Sequence, residues 1–250
     1  MNFIKKMYFL YYILKLKKFI IKLITFWIPK KQRKTVRNFL FWFSFADFIK
    51  FKKQNFCIVS LGGNCLPRTL TTAIKLKPRK FYGEKSCPFD LFVNNDLNKI
   101  SEFINNDFET FFDRIKINQK NFPHDFKLSP ANFKKRYENR IKNFLEIMQS
   151  EKMVYFIHFD HNKTSDADKV SRLYNTLLKK RKNKPFKLII LNSSRINVPD
   201  DIVQITESFD ITDSEWVEYM INEYKNYNNK YTDYCKKMHK ILSKVIVNCL

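Results

Sequence analysis

Four short apolar runs constrain the fold of this chain more than any other feature. Uninterrupted runs of this length are typical of strands buried on both faces, and strands that alternate with helical segments form parallel sheets. We therefore predict an α/β domain with a mostly parallel sheet flanked by helices. Strands are expected near residues 56–61, 152–159, 187–192 and 202–206.

Helical patterns fill most of the segments between and after these strands. The predicted helices begin near Leu70 and cover residues 96–112, 130–149, 166–182, 214–227 and 231–247. Sites in parallel sheets lie at the carboxyl ends of the strands. Segments 62–65, 88–90, 158–161 and 192–194 follow strands or strand-like turns and are expected to converge there.

The first strand is followed by a turn that holds two of the three glycines of the chain, Gly62 and Gly63. Glycine permits a tight turn with close backbone approach, and the helix that follows places Cys65 at or near a helix entrance. Amide N–H groups and the positive end of the helix dipole favour a thiolate there. Cys65 is the best nucleophile candidate, although the pattern alone also fits a phosphate-binding turn or a buried structural cysteine.

Four short motifs occur in a fixed order along the chain. They are Ser60-Leu61-Gly62-Gly63-Asn64-Cys65, Cys87-Pro88-Phe89-Asp90, Phe122-Pro123-His124-Asp125-Phe126 and Tyr137-Glu138-Asn139-Arg140-Ile141. Over about residues 55–195 they resemble the S-L-G-x-x-C, P-F-D, H-x-F and R-I elements of the bacterial family described as putative papain-like cysteine peptidases. The resemblance implies a thiol-dependent hydrolase or acyl transferase whose Cys–His pair maps onto Cys65 and His124.

The remaining catalytic roles follow from that pair. Asp125 or Asn192 would orient the imidazole of His124, and backbone N–H groups after Gly62 would stabilise an oxyanion. Without the resemblance, a solvated loop histidine is the preferred interpretation of His124. Binding roles are predicted for Ser60, Gly62, Gly63, Asn64, Asp90, Arg140 and His158.

Two of these binding residues have simpler alternatives. Asp90 is well placed to cap the helix after it, and capping is its default role. Arg140 lies one helical turn from Arg136, so it either binds an anion or pairs with an acid. His158 and His161 flank Asp160 at a spacing that metals use, but without a third group of ligands the spacing is weak evidence, so we predict no metal site and no cofactor.

The charge is concentrated at the N-terminus. Residues 1–53 hold 14 basic residues against one acid, Asp47, which leaves +13 of the formal net charge of +23 in this segment. The same segment is aromatic and aliphatic, with apolar runs too short for the roughly 20 residues that span a bilayer. We predict a helical arm that lies on an anionic membrane surface, with a pair of core-packing helices as the alternative.

A second resemblance concerns the same arm. Its segment 28–38, Ile-Pro-Lys-Lys-Gln-Arg-Lys-Thr-Val-Arg-Asn, resembles basic segments of enzymes from bacterial surface-polysaccharide loci. The predicted location is peripheral, at the cytoplasmic face of the inner membrane. Five cysteines without a C-x-x-C pair fit a reducing compartment and argue against a disulfide framework or a zinc site.

These observations predict three regions: a membrane-associating arm over residues 1–53, an α/β domain over 54–210 and a C-terminal helical cap over 211–250. The predicted function is that of a thiol-dependent hydrolase acting on an unknown peptide or glycan-related substrate. The alternative is a glycan-biosynthesis enzyme or accessory protein that binds a sugar-phosphate or lipid-phosphate without a cysteine nucleophile. A non-enzymatic membrane-surface protein is a third possibility, and no specific nucleic-acid partner is expected.

Overall fold

The structure is a computed structural model. It describes residues 15–16, 19–29, 32–33, 36, 44–93, 96–160, 163, 165–208 and 230–247. The chain divides into two compact units, Met1–Gln54 and Asn55–Leu250. The helix predicted over residues 214–227 lies outside the described residues.

The larger unit is built on a four-stranded parallel sheet with the strand order β1-β2-β3-β4. Its strands are β1 (Phe56–Ser60), β2 (Met153–Phe159), β3 (Phe186–Leu191) and β4 (Ile202–Ile205). In the register of the sheet, Val59 lies beside Phe156 and Phe156 beside Leu188. The predicted parallel sheet is confirmed, and each strand lies within one residue of its predicted bounds.

Seven α-helices have bounds in the described residues. They are α1 (Phe45–Lys53), α2 (Leu66–Ala73), α3 (Leu97–Asn105), α4 (Phe111–Arg114), α5 (Pro130–Gln149), α6 (Ala167–Arg181) and α7 (Lys230–Val247), and a 3₁₀ helix covers Lys80–Tyr82. Side chains at several helix starts act as caps: Ser44, Asp96, Ser129 and Asp166 each accept a hydrogen bond from a backbone N–H of the first turn.

Both faces of the sheet are covered by helices. Alternate residues of each strand point to opposite faces, so each strand contributes to two cores. On one face, Val59, Phe156 and Leu188 join a core rich in phenylalanine that includes residues of α3, α5 and α6. On the other face, strand residues such as Tyr155 and Ile189 pack with residues of α2 and α7. The sheet is therefore flanked by helices, as predicted.

The single helix predicted over residues 96–112 is wrong in its length. Helix α3 ends at Asn105 and α4 begins at Phe111, because Asp107 and Phe108 adopt left-handed backbone conformations with φ of 52° and 66°. The break turns the Phe108 ring into the aromatic core, where it contacts the rings of Phe89, Phe103, Phe111 and Phe144. Helical periodicity alone could not predict this, because the same apolar positions serve both conformations.

In the smaller unit, apolar side chains are exposed on residues 19–27 and on α1. The exposed fraction is 88% for Trp27, 66% for Phe45 and 64% for Leu23. Ile21 and Thr25 are buried, so one side of the segment is covered and the other is not. Among the residues that the structure describes, no helix is long and apolar enough to cross a membrane.

Candidate functional site

The turn after β1 packs closely against the end of β2. Leu61 N–H donates to Ile157 O at 2.8 Å, and Phe159 N–H donates to Gly62 O at 3.2 Å, so the pairing of the two strands continues past β1. Gly62 and Gly63 have φ of +84° and +90°. A Cβ on residue 63 would lie 1.8 Å from the carbonyl oxygen of Phe159. Only glycine fits this close approach.

Hydrogen bonds within the turn fix the start of helix α2. Ser60 Oγ accepts from Gly62 N–H at 3.3 Å, and Asn64 Oδ1 accepts from Leu66 N–H at 2.8 Å. Asn64 therefore caps the helix, while the Cys65 side chain, at the N-cap position, makes no capping bond. Cys65 is partly exposed and lies at the helix entrance, where its sequence context placed it.

A buried cluster of four charges, which we call the Asp90 cluster, joins α2 to the loop that follows it. It consists of Arg68, Lys77, Glu84 and Asp90. Glu84 accepts two hydrogen bonds of 2.9 Å from Arg68 Nε and Nη2. Lys77 Nζ lies 3.0 Å from Asp90 Oδ1 and 3.5 Å from Glu84 Oε1, and Arg68 Nε lies 3.9 Å from Asp90 Oδ2.

Charge pairing explains how Lys77 stays ionised while only 3% exposed. Burial lowers its pKa, but the carboxylates of Asp90 and Glu84 more than compensate and raise it. Burial likewise raises the pKa of Glu84, and the Arg68 and Lys77 cations outweigh that effect and lower it. Asp90 also accepts from Cys87 N–H at 2.7 Å, so it closes its own loop instead of capping a following helix.

His158, on β2, lies beneath the turn and is fully buried. Its Nδ1 is 3.2 Å from Leu61 O, and burial lowers its pKa to about 4. The imidazole is therefore neutral at pH 7. Because a carbonyl can only accept, Nδ1 carries the proton and Nε2 the lone pair. Nε2 is buried and has no hydrogen-bond partner among the described residues.

The carboxyl ends of β2, β3 and β4 are also tied together. Asp160 N–H donates to Leu191 O at 3.0 Å, and Asn192 Nδ2 donates to Asp160 O at 2.8 Å. Ser193 N–H donates to Ile205 O at 3.2 Å. Asn192 has a left-handed φ of 57°, which this residue type tolerates well. His161, the second histidine of the His158–His161 pair, lies outside the described residues.

A second charge cluster, the Asp125 cluster, anchors the loop of His124 to α5. Asp125 Oδ2 accepts from Arg140 Nη1 at 2.8 Å and from Tyr137 OH at 3.1 Å, and Asp125 Oδ1 accepts from Arg136 Nη1. Burial raises the pKa of Asp125, but the Arg140 and Arg136 cations and the Tyr137 hydrogen bond outweigh it, so the pKa lies below its usual value. His124 is exposed and makes no hydrogen bond to any described residue.

The predicted site residues thus fall into two groups. The first group is linked through the carboxyl ends of the strands and the Asp90 cluster, and it contains Ser60, Gly62, Gly63, Asn64, Cys65, Asp90, His158 and Asn192. The second group, Asp125 and Arg140, belongs to the Asp125 cluster. Arg140 pairs with an acid, which was one of its two predicted alternatives. The catalytic roles of Cys65, His124, Asp125 and Asn192 and the binding roles stay predictions.

Sequence reasoning missed Arg68, Lys77 and Glu84. Lys77 and Glu84 belong to a segment of mostly basic residues, 77–85, which is typical of a solvated loop, yet Lys77 and the side chain of Glu84 are almost fully buried. One indication was available for Arg68: it lies three residues after Cys65, so the two positions share one face of the helix. The pairing of Lys77 and Glu84 has no local signature, because the two residues meet only after the loop closes.

The comparisons with known proteins support the resemblance over part of the chain. Residues 56–122 match the family model described as "Putative papain-like cysteine peptidase". The matched segment contains β1, the turn with Cys65, helix α2 and the Asp90 cluster, and it ends two residues before His124. No curated protein and no solved structure matches the chain.

Proposed function

We propose that the protein is a thiol-dependent acyl hydrolase of the cysteine-peptidase class, with Cys65 as its nucleophile. The observation that carries the proposal is the position of Cys65: a partly exposed thiol at the entrance of α2, directly after the glycine turn of β1, within the segment that matches the family model. The positive end of the helix dipole favours the thiolate there.

The reaction follows from this arrangement. The Cys65 sulfur attacks the carbonyl carbon of the substrate, the leaving group departs with a proton, and water then hydrolyses the thioester. Gly62 N–H is bonded to Ser60 and Leu66 N–H to Asn64, so we assign the oxyanion to the N–H groups of Gly63 and Asn64. His124, by the resemblance, would accept and return the proton, with Asp125 or Asn192 to orient it.

A generic ester tests the nucleophile without knowledge of the natural substrate. The full-length protein is mixed with p-nitrophenyl acetate, and the acetylated peptide is mapped by mass spectrometry. We expect a burst of nitrophenolate and an acetyl group on Cys65, both lost in Cys65→Ser. Burial raises the pKa of Cys57 and of Cys87, so these thiols stay protonated and serve as internal controls. Acetylation spread over several cysteines, with the same rate in Cys65→Ser, would refute the proposal.

Two histidines compete for the role of base, and the same assay separates them. His124→Ala removes the imidazole that the resemblance implies, while His158→Gln removes the buried imidazole that is bonded to Leu61 O. We expect His124→Ala to slow acetylation of Cys65 and His158→Gln to leave it within a few-fold of the wild-type rate. The reverse result would transfer the base role to His158.

The sugar-phosphate alternative would need a net positive charge beside the turn to hold a phosphate group. Arg68 and Lys77 are already paired with Glu84 and Asp90, and the cluster of two cations and two carboxylates has no net charge. This pairing favours the hydrolase over the binding hypothesis. Protection of Cys65 from alkylation by inorganic phosphate would favour the binding hypothesis instead.

We further propose that the N-terminal arm binds the anionic cytoplasmic face of a bacterial inner membrane. Support comes from the exposed apolar side chains of residues 19–27, of which Phe19, Phe26 and Trp27 are more than 60% exposed, and from the +13 charge of residues 1–53. Apolar burial and about 1 kcal/mol per basic residue at an anionic surface would act together. Deletion of residues 1–53 should release the protein from anionic vesicles, and unchanged sedimentation with them would refute this.

A further inference from the structure

Arg68 lies three residues after Cys65, at the start of α2. Helical side chains lean towards the N-terminus, and positions three apart share one face of the helix, so the Arg68 guanidinium is directed back towards the turn that holds Cys65. The Arg68 side chain is 28% exposed and Cys65 is also partly exposed. Both residues thus reach the surface at the same end of the helix.

The guanidinium is held in a fixed orientation. Glu84 engages Nε and Nη2 in a bidentate pair, and the Glu84 side chain is itself only 2% exposed. Bidentate pairing of this kind restricts an arginine to one geometry. Lys77 in turn pairs with both Glu84 and Asp90, which holds Glu84 in place. Nη1 of Arg68 makes no hydrogen bond to any described residue, so one end of the fork remains for another anion.

The electrostatics connect Arg68 to the thiol. Burial lowers the pKa of Arg68, but the hydrogen bond and charge of Glu84, the charge of Asp90 and the charge of an ionised Cys65 raise it above its usual value. Coupling between two titrating groups is reciprocal. If the Cys65 thiolate stabilises the Arg68 cation, the cation stabilises the thiolate by the same amount.

We propose that Arg68 is a positioning residue that stabilises the thiolate of Cys65. The Glu84 carboxylate partly neutralises the Arg68 cation and so limits this stabilisation. The inference rests on the proposed function, because it assigns a role toward the Cys65 nucleophile. It also gives the Asp90 cluster a role beyond stability: Lys77, Glu84 and Asp90 hold the arginine at the end of α2 where Cys65 lies.

The test is the pH dependence of alkylation of Cys65 by iodoacetamide, measured by peptide mass spectrometry on the full-length protein. In Arg68→Gln we expect the midpoint of the pH–rate profile to rise by about one unit, and the rate at pH 6.5 to fall about tenfold. The plateau at high pH should not change, because there the thiol is ionised in both proteins. Arg68→Lys should give an intermediate profile, and Arg172→Gln, at an exposed position of α6, should match the wild type.

Glu84→Gln gives the opposite sign and guards against a trivial loss of folding. Removing a carboxylate that competes for the guanidinium should move the profile to lower pH, which a merely damaged structure would not do. If Arg68→Gln does not fold, this variant decides the question by itself. An unchanged or upward-shifted profile in Glu84→Gln, or a uniform rate change at all pH values in Arg68→Gln, would overturn the inference.

Failure of the inference is distinguishable from failure of the proposed function. Wild-type acetylation of Cys65 with a normal profile in Arg68→Gln would remove the role of Arg68 and leave the nucleophile in place. Absence of the acetyl adduct in the wild type would remove the hydrolase, whatever the alkylation profile of the arginine variants.

Discussion

The turn that carries Cys65 and the loop that carries His124 are built in different ways. Around Cys65 the backbone is tightly held: Gly63 packs against β2, His158 lies beneath the turn, and Lys77, Glu84 and Asp90 of the Asp90 cluster are almost fully buried. The His124 loop is held by the fully buried ring of Phe122 and by the carboxylate of Asp125, whose partner Arg136 is 46% exposed. We infer that the turn of Cys65 is the more rigid of the two regions and that the exposed His124 can adjust when a substrate binds.

The largest effect on stability is expected at the glycine turn. Gly63 and Gly83 have the same φ of +90°, but an added Cβ meets the Phe159 carbonyl at 1.8 Å in the first and nothing within 4 Å in the second. We expect Gly63→Ala to lower the free energy of unfolding by more than about 4 kcal/mol and Gly83→Ala by about 1–2 kcal/mol, the cost of the left-handed conformation alone. Urea denaturation of both variants measures the difference, and equal losses would show that the contact with β2 does not constrain the turn.

The buried lysine gives the next largest effect. Lys77→Met would leave Asp90 and Glu84 with less positive charge in a site without solvent, and the loss of one partner from a buried pair costs about 3–5 kcal/mol. The matched control is Lys169→Met, which breaks an exposed pair with Asp166 on the surface of α6 and should leave the free energy of unfolding almost unchanged. Similar losses in the two variants would mean that the Asp90 cluster is not sealed from water.

The sequence could predict features that depend on local pattern, such as the glycine turn, but not those that depend on contacts between distant residues, such as the burial of Lys77. Apolar runs fixed the strands to within one residue, and Gly62-Gly63 indicated the turn and the helix entrance of Cys65. The pairing of Lys77 with Asp90 could not be predicted, because charged residues in a loop are usually solvated and nothing local shows that this loop folds inward. The break at Phe108 was missed for a similar reason: a distant aromatic core decides it.

The buried His158 should make the free energy of unfolding depend on pH. Its pKa is about 4 in the folded protein and about 6.5 in an unfolded chain, so below pH 6.5 the unfolded state binds a proton that the folded state does not. Stability is therefore complete above pH 6.5 and falls by about 3 kcal/mol as the pH drops to 4. In His158→Gln that loss should disappear, which urea denaturation between pH 7 and pH 4 would measure. An equally steep decline in the variant would assign the acid sensitivity to other groups.

On the histidine side the smallest effect is expected from the Asp125 cluster. Asp125→Asn removes the charge that Arg140 and Arg136 share, at a cost of about 2 kcal/mol at pH 7, while Arg136→Gln should cost less than about 1 kcal/mol because Arg136 is half exposed. Since the folded pKa of Asp125 is lowered, its contribution is present above the unfolded pKa of about 4 and is lost as the pH falls through the folded value.

The two Asp125-cluster variants also test how much freedom the His124 loop has. If the Asp125 carboxylate restrains the loop, Asp125→Asn should increase hydrogen exchange of the backbone amides between residues 122 and 128, and Arg136→Gln should do so much less. The amides of the Cys65 turn should not respond to either variant, because their hydrogen bonds are to β2 and within the turn. A response that spread to residues 61–66 would show that the two regions are mechanically coupled, and the contrast between a rigid nucleophile and an adjustable histidine would then be wrong.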